Sequence, residues 1–323
     1  MRNRIVSFAF ALFSLLALSG GCAKDLVTGK STLNYYSLQQ ESRLGEQVLT
    51  AQLQELDKRE KKLNVAAGAS DHKLLSKIVA DIAKVSHYPD FPYEVHLADV
   101  DIVNAWCAPG GKMMVYTGLW NPKKGLVKEG NADELAAVMA HEIAHANARH
   151  VTESISRNLT ILMAGTAVQG AIAAGGSAQG ADLFGQIFSD GMNVFVPSYS
   201  RKNEFEADRL GLVYMAKAGY DPRVAVELWK RAAKRKKDRT SIFASHPASG
   251  ARAKALEANL PEAMAYYEEA LAKQGKKLPP PPAAEEKTTP TTGEGGKVEE
   301  TATDDAAPEK KTVRKRPNHH GGR

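Results

Sequence analysis

The chain has 323 residues, 43% hydrophobic and 25% charged, which suits a globular protein and excludes a fibrous or low-complexity one. Two cysteines are too few for a disulfide-built scaffold. The formal net charge of +6 mixes unlike regions and gives no ground for a nucleic-acid partner.

Residues 1–21 read as an export signal. Arg2 and Arg4 precede an apolar run from Ile5 to Ser19 that is too short to span a bilayer comfortably. Leu18-Ser-Gly-Gly-Cys22 resembles a bacterial lipobox, although the leucine stands four residues before the cysteine rather than three. The expectation is that Cys22 is acylated and that the chain meets the membrane through this N-terminal lipid. Ala23 after the cysteine favours the periplasmic face of the outer membrane. The alternative is ordinary cleavage after Ser19, which leaves a plain thiol on a soluble periplasmic chain. With Cys22 acylated, a disulfide is excluded and Cys107 is simply a small buried side chain.

Asp25-Leu-Val-Thr-Gly-Lys-Ser-Thr-Leu-Asn34 is a turn-rich lead-in. Residues 37–59 form an amphipathic helix, apolar at Leu38, Leu44, Val48, Leu53 and Leu56. A second helix spans 71–86. From Tyr93 the period becomes two, and 93–97, 102–107 and 113–117 read as short strands. Pro109-Gly-Gly-Lys112 supplies a hairpin turn between the last two. Asn131 and Glu134 form a capping box that opens a helix running to about Ser154. Residues 159–176 are apolar but rich in Gly and Ala and contain Gln169, so they read as a buried or partly mobile helix near the cleft.

A helix follows over 200–218, and Asp221-Pro222 begins another. The basic cluster at 230–237 reads as a solvated helix end, and 262–276 gives one more helix. Beyond Leu278 apolar periodicity is lost, and 278–323 reads as a disordered, Pro-rich, charged tail. The domain plan is therefore a signal at 1–21, a lead-in and helix at 22–70, the main domain at 71–277 and the tail. The fold class is α+β, mostly helical.

The chemistry lies in His141-Glu-Ile-Ala-His145. At 100° per residue, His141 and His145 lie one turn apart, and both imidazoles reach one ion. Glu142 is placed to contact a metal-bound water, which is the HExxH arrangement for zinc. His150 lies nine residues from His141, about 180° around a continuous helix, so it reads as an exposed or outer residue. The pattern that adds a third histidine after a glycine fails, because Ala148 and Val151 stand at its positions. A further ligand must come from elsewhere. Glu204 and Asp208 are four apart and share a helix face, while Glu206 points about 200° from Glu204. Glu204 is the candidate ligand, and Asp208 the acceptor for the outer nitrogen of a ligating histidine.

HEIAH together with NEFEAD resembles the CaaX-prenyl-protease type of zinc metallopeptidase, in its exported bacterial lipoprotein branch. Asp25-Leu-Val-Thr-Gly, Asn104-Ala-Trp-Cys-Ala-Pro-Gly-Gly and Ser245-His-Pro-Ala-Ser-Gly-Ala-Arg252 extend the likeness along the chain. The resemblance implies a zincin-like (gluzincin) domain with a small β-sheet and an HExxH helix. It implies one Zn2+ held by His141, His145 and Glu204, with Glu142 as general base and Asp208 in support. His246 and Arg252 fall near the active site, His246 either stabilising an oxyanion or capping the zinc in a latent state. Asn104 and Ala105 lie on an edge strand that pairs with extended substrate. The implied task is hydrolysis of misfolded or stalled envelope and outer-membrane proteins. The competing reading is a chaperone-like binding lipoprotein with a latent or structural zinc.

Overall fold

Three short strands and the helices on either side of them carry the site. The computed structural model describes residues 22–24, 27, 29, 31–168, 199–234, 242, 246 and 249–282. The expected signal at 1–21, residues 169–176 of the Gly/Ala-rich segment and the tail beyond 282 lie outside these residues, as does the side chain of Cys22.

Strands β1 (Cys22–Lys24) and β2 (Ser31–Leu33) pair antiparallel. Helix α1 (Leu38–Lys58) begins at Ser37, whose side chain caps it in a reciprocal box with Gln40. Helix α2 (Val65–Ala83) starts before the predicted 71, but Gly68 interrupts its helical geometry with an extended φ of 170°. Strands β3 (Glu94–Ala98), β4 (Ala105–Ala108) and β5 (Lys112–Tyr116) form a sheet in the order β3-β5-β4. β3 runs parallel to β5, and β4 runs antiparallel to it. β4 is thus an edge strand.

Alternation along the strands divides the core in two. Leu97, Ala105, Cys107, Met113 and Val115 face one apolar cluster, and Ala98, Trp106, Ala108, Met114 and Tyr116 face another with Val48, Leu49 and Leu56 of α1. The β4–β5 turn presses on α1: Gly110 sits at φ +72°, and a Cβ there would lie 2.5 Å from the Ser42 Cα. Only glycine meets both demands.

Helix α3 (Ala132–Asn147) is buried on almost every side, as a helix at the centre of a core must be. The predicted capping box is half formed. Asn131 accepts from the Glu134 N–H, but the Glu134 carboxylate turns to the Lys128 N–H at 2.6 Å and to Arg231 at 2.8 Å. The predicted continuation to Ser154 is also wrong. α3 ends at Asn147, Arg149 adopts φ +57°, and helix α4 (His150–Val168) starts in a new direction. Arg149 is held there by α1: its Nε donates to the Glu41 carboxylate at 2.8 Å, and its guanidinium also reaches the Tyr36 carbonyl.

Helix α5 (Arg201–Lys217) is capped by Ser200 and α6 (Pro222–Ala233) by Asp221. Helix α7 (Gly250–Lys273) starts well before the predicted 262 and accommodates Pro261. Within the basic cluster, Lys230 pairs with Glu227 at 2.9 Å and Glu257 at 2.5 Å, so part of it joins α6 to α7 instead of standing free in solvent. After α7 the chain runs on, and Arg223 donates to the carbonyls of Pro279 and Pro280. Among the described residues no helix is long and apolar enough to cross a membrane.

Candidate metal centre

α3 projects His141 and His145 to one side, with their Nε2 atoms 3.1 Å apart. α5 approaches closely because Gly211 leaves room. A Cβ at that position would stand 3.0 Å from the His141 nitrogen and 3.1 Å from the Ala140 carbonyl. Glu204, two turns earlier on the same stripe, then faces the histidines. Its oxygens lie 3.6 Å from His141 Nε2 and 3.5 Å from His145 Nε2. His246 completes the group, with Nδ1 3.1 Å from both His141 Nε2 and Glu204 Oε1. All four residues are buried, and one ligand atom from each lies within 4.8 Å of the others.

The spacing tests whether a metal fits. Zinc with tetrahedral bonds of about 2.0–2.1 Å holds its donor atoms roughly 3.3 Å apart. The His141–His145, His141–His246 and Glu204–histidine separations run from 3.1 to 3.6 Å, and the whole group lies within 4.8 Å, so a small closing movement brings it to that spacing. Imidazole and carboxylate donors suit zinc, and lone pairs crowded together in a dry site are costly without a cation among them. The residues fit the ion.

Around this group the outer atoms are also engaged. His141 Nδ1 is 3.1 Å from Asp208 Oδ1. Arg252 grips Asp208 with two hydrogen bonds of 2.7 and 2.6 Å, reaches Glu204 at 2.5 Å, and lies 4.7 Å over the Trp229 ring. His145 Nδ1 meets His150 Nδ1 at 2.9 Å, and His150 Nε2 meets Glu206 Oε2 at 3.2 Å. Tyr199 stacks on His145 at 3.7 Å.

Burial alone would neutralise this cluster, and its charges oppose that. For Glu204, burial raises the carboxyl pKa, but His246, His141 and His145 outweigh it and hold it well below the usual range. For Asp208, burial likewise loses to Arg252 and His141. His141 is pulled down by burial yet ends raised, through its contacts with Asp208 and Glu204. His145 is driven well below the ordinary histidine value by burial, against Glu204. Glu142 behaves differently. Burial pushes it up to about 7 against the pull of His246, and neither carboxylate oxygen meets a hydrogen-bond partner in good geometry.

Glu142 also faces the sheet edge. Tyr116 N donates to Asn104 O at 3.2 Å, so the main chain of Val103, Ala105 and Cys107 points away from β5. Along that outer side the Val103 carbonyl accepts from Ile242 N at 2.8 Å, and Ala105 N donates to Asn104 Oδ1 at 2.9 Å. The Cys107 N–H lies near enough to Glu142 to oppose its rise.

The residue range 69–260 matches the sequence profile of Peptidase family M48. The chain belongs to peptidase family M48. The family's metal is zinc, and this donor set accepts it. Mitochondrial metalloendopeptidase OMA1 of Arabidopsis thaliana is 36% identical over 198 residues, covering 59% of this chain and 36% of the relative. OMA1 of Schizosaccharomyces pombe is 36% identical over 194 residues, covering 58% and 53%. The Beta-barrel assembly-enhancing protease of Escherichia coli O157:H7 is 29% identical over 135 residues, covering 41% and 26%. The chain thus spans between about a quarter and a half of the length of these M48 relatives.

The fold brings together His141, Glu142, His145, Glu204, Asp208, His246 and Arg252, with Asn104 and Ala105 on the neighbouring edge. His150 departs from its prediction. The break at Arg149 turns it back, and it is buried against His145. Sequence reasoning missed Tyr199 and Trp229, which carry no motif. It noted Glu206 only as the carboxylate pointing away from Glu204, which is the direction in which His150 lies.

Proposed function

We propose that this chain is a zinc endopeptidase of the cell envelope, acting on misfolded or stalled envelope and outer-membrane proteins. Glu142 carries the reading: a fully buried carboxylate beside the metal ligands and against the sheet edge, facing His246 Nε2 at 3.2 Å and the Cys107 N–H. Zinc, when bound, polarises the scissile carbonyl and acidifies a water. Glu142 would take that water's proton and pass it to the leaving amine, a role its burial favours by stabilising the protonated form between the two transfers. Arg252 and Asp208 hold Glu204 and His141 in position. An extended peptide pairs with the outward main chain of residues 103–107, which gives affinity with little side-chain selectivity and so suits unfolded clients.

The finer reading is the exported lipoprotein branch of the CaaX-prenyl-protease type, anchored through Cys22 at the periplasmic face of the outer membrane. Its support is the Leu18–Cys22 stretch and the similarity to a protease named for β-barrel assembly. Within it, His246 acts as a cap. Nδ1 takes the fourth donor position and Nε2 lies 3.2 Å from Glu142, while the Ile242 N–H donates to the Val103 carbonyl at the β4 edge. The same four-donor group also favours a second reading, a binding lipoprotein whose zinc is structural.

Zinc content and casein cleavage of wild type, Glu142→Gln and His246→Ala separate the two. We expect stoichiometric zinc in all three, cleavage reduced by about 10²–10⁴-fold in Glu142→Gln, and faster cleavage in His246→Ala. A Glu142→Gln protein that digests casein at the wild-type rate would sink the enzyme reading. Its rescue of a deletion strain would favour the binding protein.

A further inference from the structure

We propose that His150 and Glu206 form a positioning relay that fixes the tautomer and ring plane of His145; the proposal rests on the zinc reading. A histidine that binds a metal through Nε2 keeps its proton on Nδ1, and that N–H needs an acceptor. For His141 the carboxylate facing Nδ1 is Asp208, at 3.1 Å. For His145 the atom facing Nδ1 is Nδ1 of His150, at 2.9 Å. It accepts only if the His150 proton sits on Nε2, and Nε2 faces the Glu206 carboxylate at 3.2 Å. The order of protons is then set from end to end. His145 Nδ1–H donates to His150 Nδ1, and His150 Nε2–H donates to Glu206. The opposite order would place a proton on His145 Nε2, the atom that faces Glu204 and His141.

The fold builds this relay deliberately out of a helix break. On a continuous helix His150 would stand across from His141. Arg149 at φ +57°, tied to Glu41, returns it to the outer side of His145. The two imidazoles meet nearly edge to face, at 71°, while Tyr199 stacks on the His145 ring. His145 therefore has little freedom to rotate or exchange tautomers.

The test is zinc affinity, measured by competition with a chromophoric chelator, together with the melting temperature of each zinc-free protein. His150→Leu should weaken zinc about 10–100-fold. His150→Asn, whose Oδ1 can replace Nδ1 as acceptor, should recover most of that loss. Glu206→Gln, which still accepts from His150, should stay nearer to wild type than Glu206→Ala. Wild-type affinity in His150→Leu overturns the relay. So does equal weakness in the Leu and Asn variants, which marks simple packing. If His150→Leu fails to fold, the Glu206 pair decides, since that side chain is 17% exposed. Wild-type protein without stoichiometric zinc overturns the zinc reading itself and is seen before any variant is compared.

Discussion

Arg252 shows how a charge survives at 3% exposure. Its guanidinium fork matches the Asp208 carboxylate, a third nitrogen reaches Glu204, and Trp229 covers the flat face. Such a pair adds little over an apolar core, but removing one partner strands the other and costs about 3–5 kcal/mol. Arg252→Met should therefore lower the unfolding free energy of the zinc-free protein by about that much, read from urea melts with unchanged slope. A loss under 1 kcal/mol would mean that the carboxylates find other partners. At this scale the sequence was informative where the chemistry is local. His141, Glu142 and His145 declare themselves by spacing, and Glu204 and Asp208 by sharing a helix face. His150 did not, because its direction depends on a break that no glycine or proline marks. The residue that fixes the break, Glu41, lies 108 positions from Arg149.

Between elements, the decisive contact is α3 against α5. Glu204, Asp208 and Gly211 fall at i, i+4 and i+7, one stripe of α5 turned toward α3. Gly211 sets how close the stripe comes. Alanine there gains helix propensity of about 0.5–1 kcal/mol but must push the His141 and Ala140 main chain by a few tenths of an ångström. Gly211→Ala should thus be nearly neutral. Gly211→Val should cost about 1–3 kcal/mol through overpacking and also weaken zinc, because it drives Glu204 away from the histidines. Retention of wild-type zinc affinity in Gly211→Val would show that the approach is adjustable. Helices with strong caps at Ser37, Ser200 and Asp221 were legible from sequence. α7 extends well upstream of the predicted 262, through Pro261 to Gly250.

Across the whole molecule, a zinc ion held by this group would join α3, α5 and His246, groups that the sequence keeps up to 105 residues apart. Zinc at about 1,000 times its dissociation constant would add about 4 kcal/mol to stability, and that increment should depend on pH. In the metal-free chain the pKa of His141 is raised, since its contacts with Asp208 and Glu204 outweigh burial. Its contribution is complete below the unfolded value of about 6.5 and is lost as pH rises through the higher folded value. Glu204 is lowered, because the neighbouring histidines outweigh burial. Its contribution is present above the unfolded value of about 4.3 and lost as pH falls through the folded one. Glu142, raised by burial, acts in the same direction as His141. His145, driven down by burial, costs stability below about 6.5 and not above it. It is therefore the His141 and Glu142 contributions that fade toward alkaline pH. Zinc requires neutral imidazoles, so its affinity moves the other way and grows as protons leave. The drop in melting temperature caused by a chelator should consequently be larger at pH 8 than at pH 6, as scanning calorimetry would record. An equal or smaller drop at pH 8 would mean that His141 carries no proton in the metal-free protein.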